Sequence, residues 1–256
     1  MDKTYQEINK IVISAGEIML KAKDLHLSAK TGNQNFVTQY DLEVEKYLIT
    51  NLLALIPTAD ILAEETAFND SLTAEYVFII DPIDGTTNFI HHLNHSAISL
   101  ALAYKKEIVY SIIYNPYTNE AFTAQKGQGA YLNGIKMEVS KRDFYDSLIA
   151  YGTTPYDLGF LEKTFATVVK CLHNCREARR NGAASLDLAN LCCGRYDGFF
   201  EYLLQPWDFA AGILLVKEAK GIITDFSGNE VDVFKPSSII ASNIPVYDKL
   251  INLIVK

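Results

Sequence analysis

The segment with most chemical content is Asp81-Pro82-Ile83-Asp84-Gly85-Thr86-Thr87-Asn88. Two carboxylates three residues apart follow directly on Tyr76-Val77-Phe78-Ile79-Ile80, a run that predicts a strand buried on both faces. The carboxyl end of such a strand is where α/β sheets place ligands. Gly85 permits a tight turn, and Thr86-Thr87-Asn88 can open a helix whose first amides are free to meet an anion. One segment thus offers carboxylates to a cation and N–H groups to a phosphate. A plain Asp-Gly turn with a helix cap would use the same residues for structure alone.

Two other acidic elements change the balance. Ala63-Glu64-Glu65-Thr66 lies upstream, and Trp207-Asp208-Phe209-Ala210-Ala211-Gly212 places Asp208 at the predicted start of a helix. Singly, these read as a solvated acidic turn and a helix cap. As a set beside apolar segments they would repel one another unless a hard cation neutralised them, and carboxylate, carbonyl and water suit Mg²⁺ or Mn²⁺ rather than zinc. The other metal-binding residue types are less well spaced. Cys171 and Cys175 flank His173 in a helical stretch, and the adjacent Cys192-Cys193 have no tetrahedral spacing, so reduced buried thiols are expected rather than a zinc site. His91, His92 and His95 read as structural or surface residues, while Arg176, Arg179 and Arg180 offer a phosphate clamp.

The elements that must position these residues follow from hydrophobic period. Ile8, Ile11, Val12, Ala15, Ile18, Met19 and Ala22 recur at helical spacing. A second helix is predicted over 41–55, with Leu42, Val44, Tyr47, Leu48 and Leu52 inward and Pro57 beyond its end. Strands are predicted near 97–104, 108–114, 120–124 and 129–139, with Asn133-Gly134 as a hairpin turn. Beyond about residue 145 strands (147–151, 176–179, 197–202, 221–226, 238–242) alternate with helices (157–173, 184–193, 208–220, 246–255). This predicts an α+β half over 1–145 and an α/β half over 146–256, forming one compact unit with a shared cleft.

Composition agrees. The chain has 256 residues, 49% hydrophobic and 21% charged, which supports a sizeable core and excludes disorder as the main state. The longest apolar run, Phe209 to Val216, is far short of the ~20 residues of a membrane span. With no signal-peptide pattern at the N-terminus, a cytoplasmic location is expected. A net charge of −8 is a poor footprint for direct nucleic-acid binding, and an anionic substrate would need local help from metal ions or backbone amides.

Taken in order and spacing, Glu64-Glu65, Asp81 through Asn88 and Trp207 through Gly212 resemble the signature motifs of the inositol monophosphatase family, from about Lys30 to Asn243. The resemblance implies a five-layered αβαβα sandwich, usually a homodimer, whose members are lithium-sensitive phosphatases. It also implies roles. Glu64, Asp81 and the Ile83 carbonyl would bind one Mg²⁺, and Asp81, Asp84 and Asp208 a second. Glu64 would contact a third, looser ion, with Lys30 and Glu65 nearby. Gly85 and Thr86 would hold phosphate oxygens, and Thr86, paired with Asp41, would help activate water. Glu201 would meet substrate hydroxyls beside Gly182 and Ala184, while Arg176, Arg179 and Arg180 would lie nearer the dimer interface. Asn35, Ala183 and Gln205 stand where the family more often has an acid, a hydroxyl and a basic residue; none is an implied metal ligand.

The implied reaction suits the acid set. Phosphate monoesters hydrolyse so slowly that catalysis can require about 10²¹-fold acceleration, and two metal ions can stabilise both attacking and leaving oxygens. The expected substrate is inositol monophosphate, with histidinol phosphate, fructose-1,6-bisphosphate, 3′-phosphoadenosine 5′-phosphate and NADP as alternatives. A different class, an interaction module with vestigial catalysis, is the remaining alternative.

Overall fold

The computed structural model describes residues 3–23, 27–31, 35–66, 72–154 and 157–255. Helix α1 (Lys3–Leu20) is followed by an antiparallel pair, β1 (Leu27–Thr31) and β2 (Asn35–Thr38), and by helix α2 (Gln39–Leu55). A larger sheet holds β3 (Asp60–Ala63), β4 (Tyr76–Asp84), β5 (Ala97–Tyr104), β6 (Glu107–Asn115), β7 (Glu120–Gln125), β8 (Gly129–Leu132) and β9 (Ile135–Met137), adjacent in chain order. The short α3 (Thr86–Ile90) lies between β4 and β5. A second sheet has the order β11-β10-β12-β14-β13, from β10 (Leu148–Tyr151), β11 (Glu177–Arg179), β12 (Gly198–Leu204), β13 (Ile222–Thr224) and β14 (Ser237–Ser242). Its helices are α4 (Leu161–Leu172), α5 (Ala184–Cys192), α6 (Pro206–Glu218) and α7 (Ile244–Val255).

Side-chain alternation along the strands sets the layers. In β4, Phe78 and Ile80 face a core shared with Ile8, Val12 and Met19 of α1 and Val44, Leu48 and Leu52 of α2. Val77 and Ile79 face the opposite core, with Leu188 of α5 and Phe209 and Leu215 of α6. Phe199, Ile239 and Ala241 of the second sheet close that same core from its far side. Their neighbours Phe200 and Ile240 point away, to Val168 of α4 and Val246 and Leu250 of α7. The result is the expected αβαβα sandwich, with α5 and α6 between the sheets. Gly212 of α6 permits the close approach, because a Cβ there would stand 2.3 Å from Leu188 Cδ1.

Two local expectations need correction. Leu42 is half exposed, not inward; the buried stripe of α2 runs through Asp41, Val44, Glu45, Leu48 and Leu52. The strand expected to stop at Ile80 runs on to Asp84, with an irregularity in its pairing to β5 between Asp81 and Asp84. Pro82, which has no N–H to give a ladder, sits in that irregular stretch. The turn expected at Asn133-Gly134 does join β8 to β9, with φ of 48° and 80° as a type I′ turn requires.

Candidate active site

The acids of the first half meet because β3 and β4 run parallel, with Ala63 opposite Ile80. Glu64 and Asp81 therefore stand side by side at the carboxyl end of β3, and the Glu64 N–H donates to Ile80 O at 3.2 Å. Asp81 Oδ1 accepts the Ile83 N–H at 3.0 Å, which folds the backbone toward Gly85. Gly85 has φ +84°, and a Cβ on it would meet Ala183, Gly182 and His95 at 3.1 Å each. Only glycine suits both that conformation and that crowding. The Ser96 hydroxyl holds the Gly85 carbonyl at 2.9 Å. With five residues, α3 carries little macrodipole, so anion binding here would rest on the amides themselves.

Asp41 approaches from α2. Its Oδ2 accepts the Thr38 N–H at 2.8 Å and the Thr38 hydroxyl at 2.5 Å, a capping box that fixes the carboxylate. Its Oδ1 lies 3.4 Å from Thr86 Oγ, which is also 3.2 Å from the Ile83 carbonyl. One turn further along α2, buried Glu45 accepts the Glu65 N–H at 2.9 Å and the Thr66 hydroxyl at 2.6 Å. Glu45 holds the turn that carries Glu64, and sequence reasoning missed it. The signal was available: a charged residue on the apolar stripe of an amphipathic helix.

The second half supplies the remaining walls. Ser185, in the first turn of α5, donates its N–H at 2.8 Å and its hydroxyl to Asp84 Oδ2. Asp208 is the third residue of α6 and accepts the Gln205 N–H at 2.7 Å while lining the cavity, so it is both a capping residue and a site residue. Glu201, on β12, accepts the Thr154 N–H at 2.8 Å. It is packed over Gly152, where a Cβ would come within 1.8 Å of Glu201 Oε2. Asn88 bridges distant parts of the chain, its Nδ2 donating to His95 O and to Asn181 O at 2.8 Å each. Asn181 donates in turn to buried Asp187 at 2.7 Å.

Glu64, Asp81, Ile83, Asp84, Gly85, Thr86, Gly182, Ala184, Glu201 and Asp208 thus share one cavity of about 600 Å³. Asp41 joins it through Thr86. Glu65 lies beside Glu64, its N–H turned to Glu45, and the Lys30 side chain lies outside the described residues. Among the arginines, Arg176 and Arg179 pair with Asp146 and Glu177 at the surface. Arg180 instead lines the cavity. Of the histidines, His91 lines the cavity; His95 is half-buried, with Nε2 unpartnered and its pKa lowered by burial.

Burial and mutual repulsion dominate the electrostatics. Asp81 is pushed well above its ordinary pKa by burial and then by Glu64, Asp84, Asp208 and Asp41, all negative. Burial, Glu64 and Asp84 raise Asp208 likewise. Asp84 is pushed up to about 6 by burial, against the lowering effect of its bonds from Ser185. Burial lifts Glu201 to about 7, with the Thr154 N–H and Arg180 pulling it down. Among the described residues no group of three or more acidic, histidine or cysteine side chains is set to enclose an ion as it stands. The donor set nonetheless fits Mg²⁺. It consists of oxygens, its acids share one cavity, and their negative charge needs a cation to be stable at neutral pH.

Five alternating layers with an acidic cavity reached from both sheets make the sandwich that the sequence resemblance implied. The chain belongs to the inositol monophosphatase family, whose profile matches residues 1–256. It is 39% identical over 234 residues to Nus factor SuhB of Escherichia coli (strain K12), covering 90% of this chain and 87% of that protein. Among solved structures it is similar to the IMPase of Thermotoga maritima (31% identity, TM-score 0.89, 100% and 97% of the two chains). It is also similar to an IMPase/NADP phosphatase complexed with Mg²⁺ and phosphate (25% identity, TM-score 0.86, 98% and 96% of the chains).

Proposed function

We propose that the protein hydrolyses a small phosphomonoester with Mg²⁺, inositol monophosphate being the first candidate. The observation that carries this reading is the convergence of Glu64, Asp81, Asp84 and Asp208 on one cavity beside the Gly85–Thr86 turn. Glu64, Asp81 and the Ile83 carbonyl would hold one ion, and Asp81, Asp84 and Asp208 another. Mg²⁺, or Mn²⁺ in its place, supplies charge stabilisation and a water of lowered pKa. The amides of Gly85 and Thr86 orient the phosphate. The Thr86 hydroxyl donates to Asp41 or Ile83 and keeps its lone pairs for the proton of a water, which Asp41 is placed to draw away. Glu201 and Arg180 face the alcohol side, where a carboxylate and a guanidinium match hydroxyls. In this reading residues 1–145 supply most metal ligands, and 146–256 add Asp208 and the alcohol side.

A two- or three-ion site, Li⁺ inhibition, a homodimer and a cytoplasmic location belong to the same reading. Its test is Mg²⁺-dependent phosphate release, with EDTA as control, from inositol-1-phosphate, histidinol phosphate, fructose-1,6-bisphosphate, 3′-phosphoadenosine 5′-phosphate and NADP. EDTA-sensitive release from one ester is expected; none from any of them overturns the reading. The naming of its relative as a Nus factor favours a second role, as an interaction module. A stoichiometric partner retained by an Asp84→Asn variant would support that role, and no retained partner would remove it.

A further inference from the structure

Besides the acids and the Gly85–Thr86 turn, the cavity is lined by the apolar side chains of Leu158, Leu161, Phe165 and Leu204. Leu158 and Phe165 are 61% and 46% exposed, and both open onto this space. Leu161 and Phe165 lie one turn apart on α4, so they present one face to it. The Phe165 ring is braced edge-on by Tyr151, with centroids 6.5 Å apart, and Tyr151 is stacked on Phe200. The wall is therefore a held apolar surface.

Its place in the cavity says what it would meet. A phosphate at the Gly85–Thr86 turn brings the ester alcohol within the same cavity as these side chains. Glu201 and Arg180 in that lining can bond hydroxyls, but the leucine and phenylalanine side chains can bond none. A polyol pressed against them would lose water without replacement, whereas an apolar group would gain from its burial. Pockets that combine a few fixed polar groups with an apolar wall select ligands of that mixed kind.

We infer that the wall of Leu158, Leu161 and Phe165 is a specificity surface, and that the preferred substrate is a phosphomonoester whose alcohol carries a flat or apolar group. The inference rests on the hydrolysis proposed above and adds the class of alcohol. It also predicts that inositol monophosphate, if turned over, is not the best ester.

The test compares benzyl phosphate with glycerol 3-phosphate, two esters of primary alcohols that differ in the apolar ring, using the full chain with Mg²⁺. The kcat/KM for benzyl phosphate is expected to be at least about tenfold higher, since even one methylene in a hydrophobic pocket discriminates by about 10–200-fold. Phe165→Ser should lower it by about tenfold through KM and leave glycerol 3-phosphate within about twofold. Leu158→Ser, at a more exposed position, should act in the same direction and serves if the first variant folds poorly. A binding measurement stands apart from turnover. By calorimetry, benzylphosphonate should bind the wild type about tenfold more tightly than methylphosphonate, and Phe165→Ser should erase the difference. Equal or reversed preference, or a parallel fall for both esters in both variants, overturns the specificity surface while hydrolysis stands. No phosphate from these esters or from the panel above removes the hydrolysis reading, and this one with it.

Discussion

Asp197 and Asp84 are both buried aspartates, and they are provided for in opposite ways. Asp197 has no exposed surface and is surrounded by donors. Arg142 Nε reaches its two oxygens at 2.9 and 3.1 Å, Leu148 N–H donates at 2.8 Å, and the Ser140 hydroxyl adds a further bond. Asn243 braces that shell through Ser140 Oγ and the Arg142 carbonyl, at 2.8 and 3.0 Å. Asp84 receives neutral donors from Ser185 but sits among other acids, and burial pushes it up to about 6. A carboxylate that serves structure is folded together with its own cation. Asp81, Asp84 and Asp208 are held in place, yet burial and neighbouring acids keep all three above their ordinary pKa.

The sharpest way to break the comparison is to exchange charge for its neutral isostere. Asp84→Asn keeps an oxygen for Ser185 but removes a charge from the proposed metal site, which there would be worth several kcal/mol of transition-state stabilisation. About 10³-fold lower kcat/KM is expected in a phosphate-release assay. The metal-free variant should unfold no more easily than the parent, because the charge it loses was repelled. Arg142→Met should do the reverse. It leaves the Asp197 charge buried and unpaired, and about 3 kcal/mol of stability should be lost in urea denaturation. Turnover per folded molecule should be retained. Wild-type activity in Asp84→Asn, or unchanged stability in Arg142→Met, would collapse the distinction.

The next effect is in pH. Asp84 and Glu201 have folded pKa values raised to about 6 and about 7. A raised carboxyl pKa means that the folded state keeps protons that the unfolded chain has released. Its stabilising contribution is complete below the unfolded pKa and is lost as pH rises through the folded one. In EDTA, Tm should therefore fall between about pH 4 and pH 7, each group contributing roughly 3 kcal/mol at most. Mg²⁺ binds the ionised acids, so it should restore most at the alkaline end. A metal-free Tm that rose through this window would mean the acids carry their own compensation, as Asp197 does.

Much of the cavity was legible in the sequence because its acids stand next to strong local signals: a buried strand, a glycine turn and a helix start. Asp208 shows that a capping reading and a functional reading need not compete, since its two oxygens can serve both. What local pattern could not show was which distant groups hold those acids. Asn88 bonds Asn181, 93 positions on, and Ser185 bonds Asp84, 101 positions back. The fold was legible to a similar depth. The β4–β9 meander and the later alternation followed from period and turn residues. The short β3, Asp60–Ala63, had too few residues to show a period, yet it is the strand that brings Glu64 beside Asp81. Leu42 was misplaced because period alone ranks a leucine above a glutamate for an inward position, whereas Glu45 faces in and has bonding partners there.

Glu45 gives the finest test, because it belongs to neither class cleanly. It is buried like Asp197, yet its partners are neutral: the Glu65 N–H and the Thr66 hydroxyl. Its work is to fix the turn of Glu64, so a change there should reach the reaction only through metal binding. Glu45→Gln keeps one acceptor oxygen for the Glu65 N–H, while its amide NH₂ can only donate, so the Thr66 hydroxyl must turn to accept, at a cost of about 1 kcal/mol in stability. Residues that orient a metal ligand typically cost 10–100-fold in affinity when changed. The Mg²⁺ concentration for half-maximal activity should rise by about tenfold, while kcat at saturating Mg²⁺ and KM for the ester stay near the parent values. A fall in kcat that added Mg²⁺ does not recover would place Glu45 with the reacting groups. A loss of stability with no change in Mg²⁺ dependence would place it with Asp197, as a carboxylate that serves the fold alone.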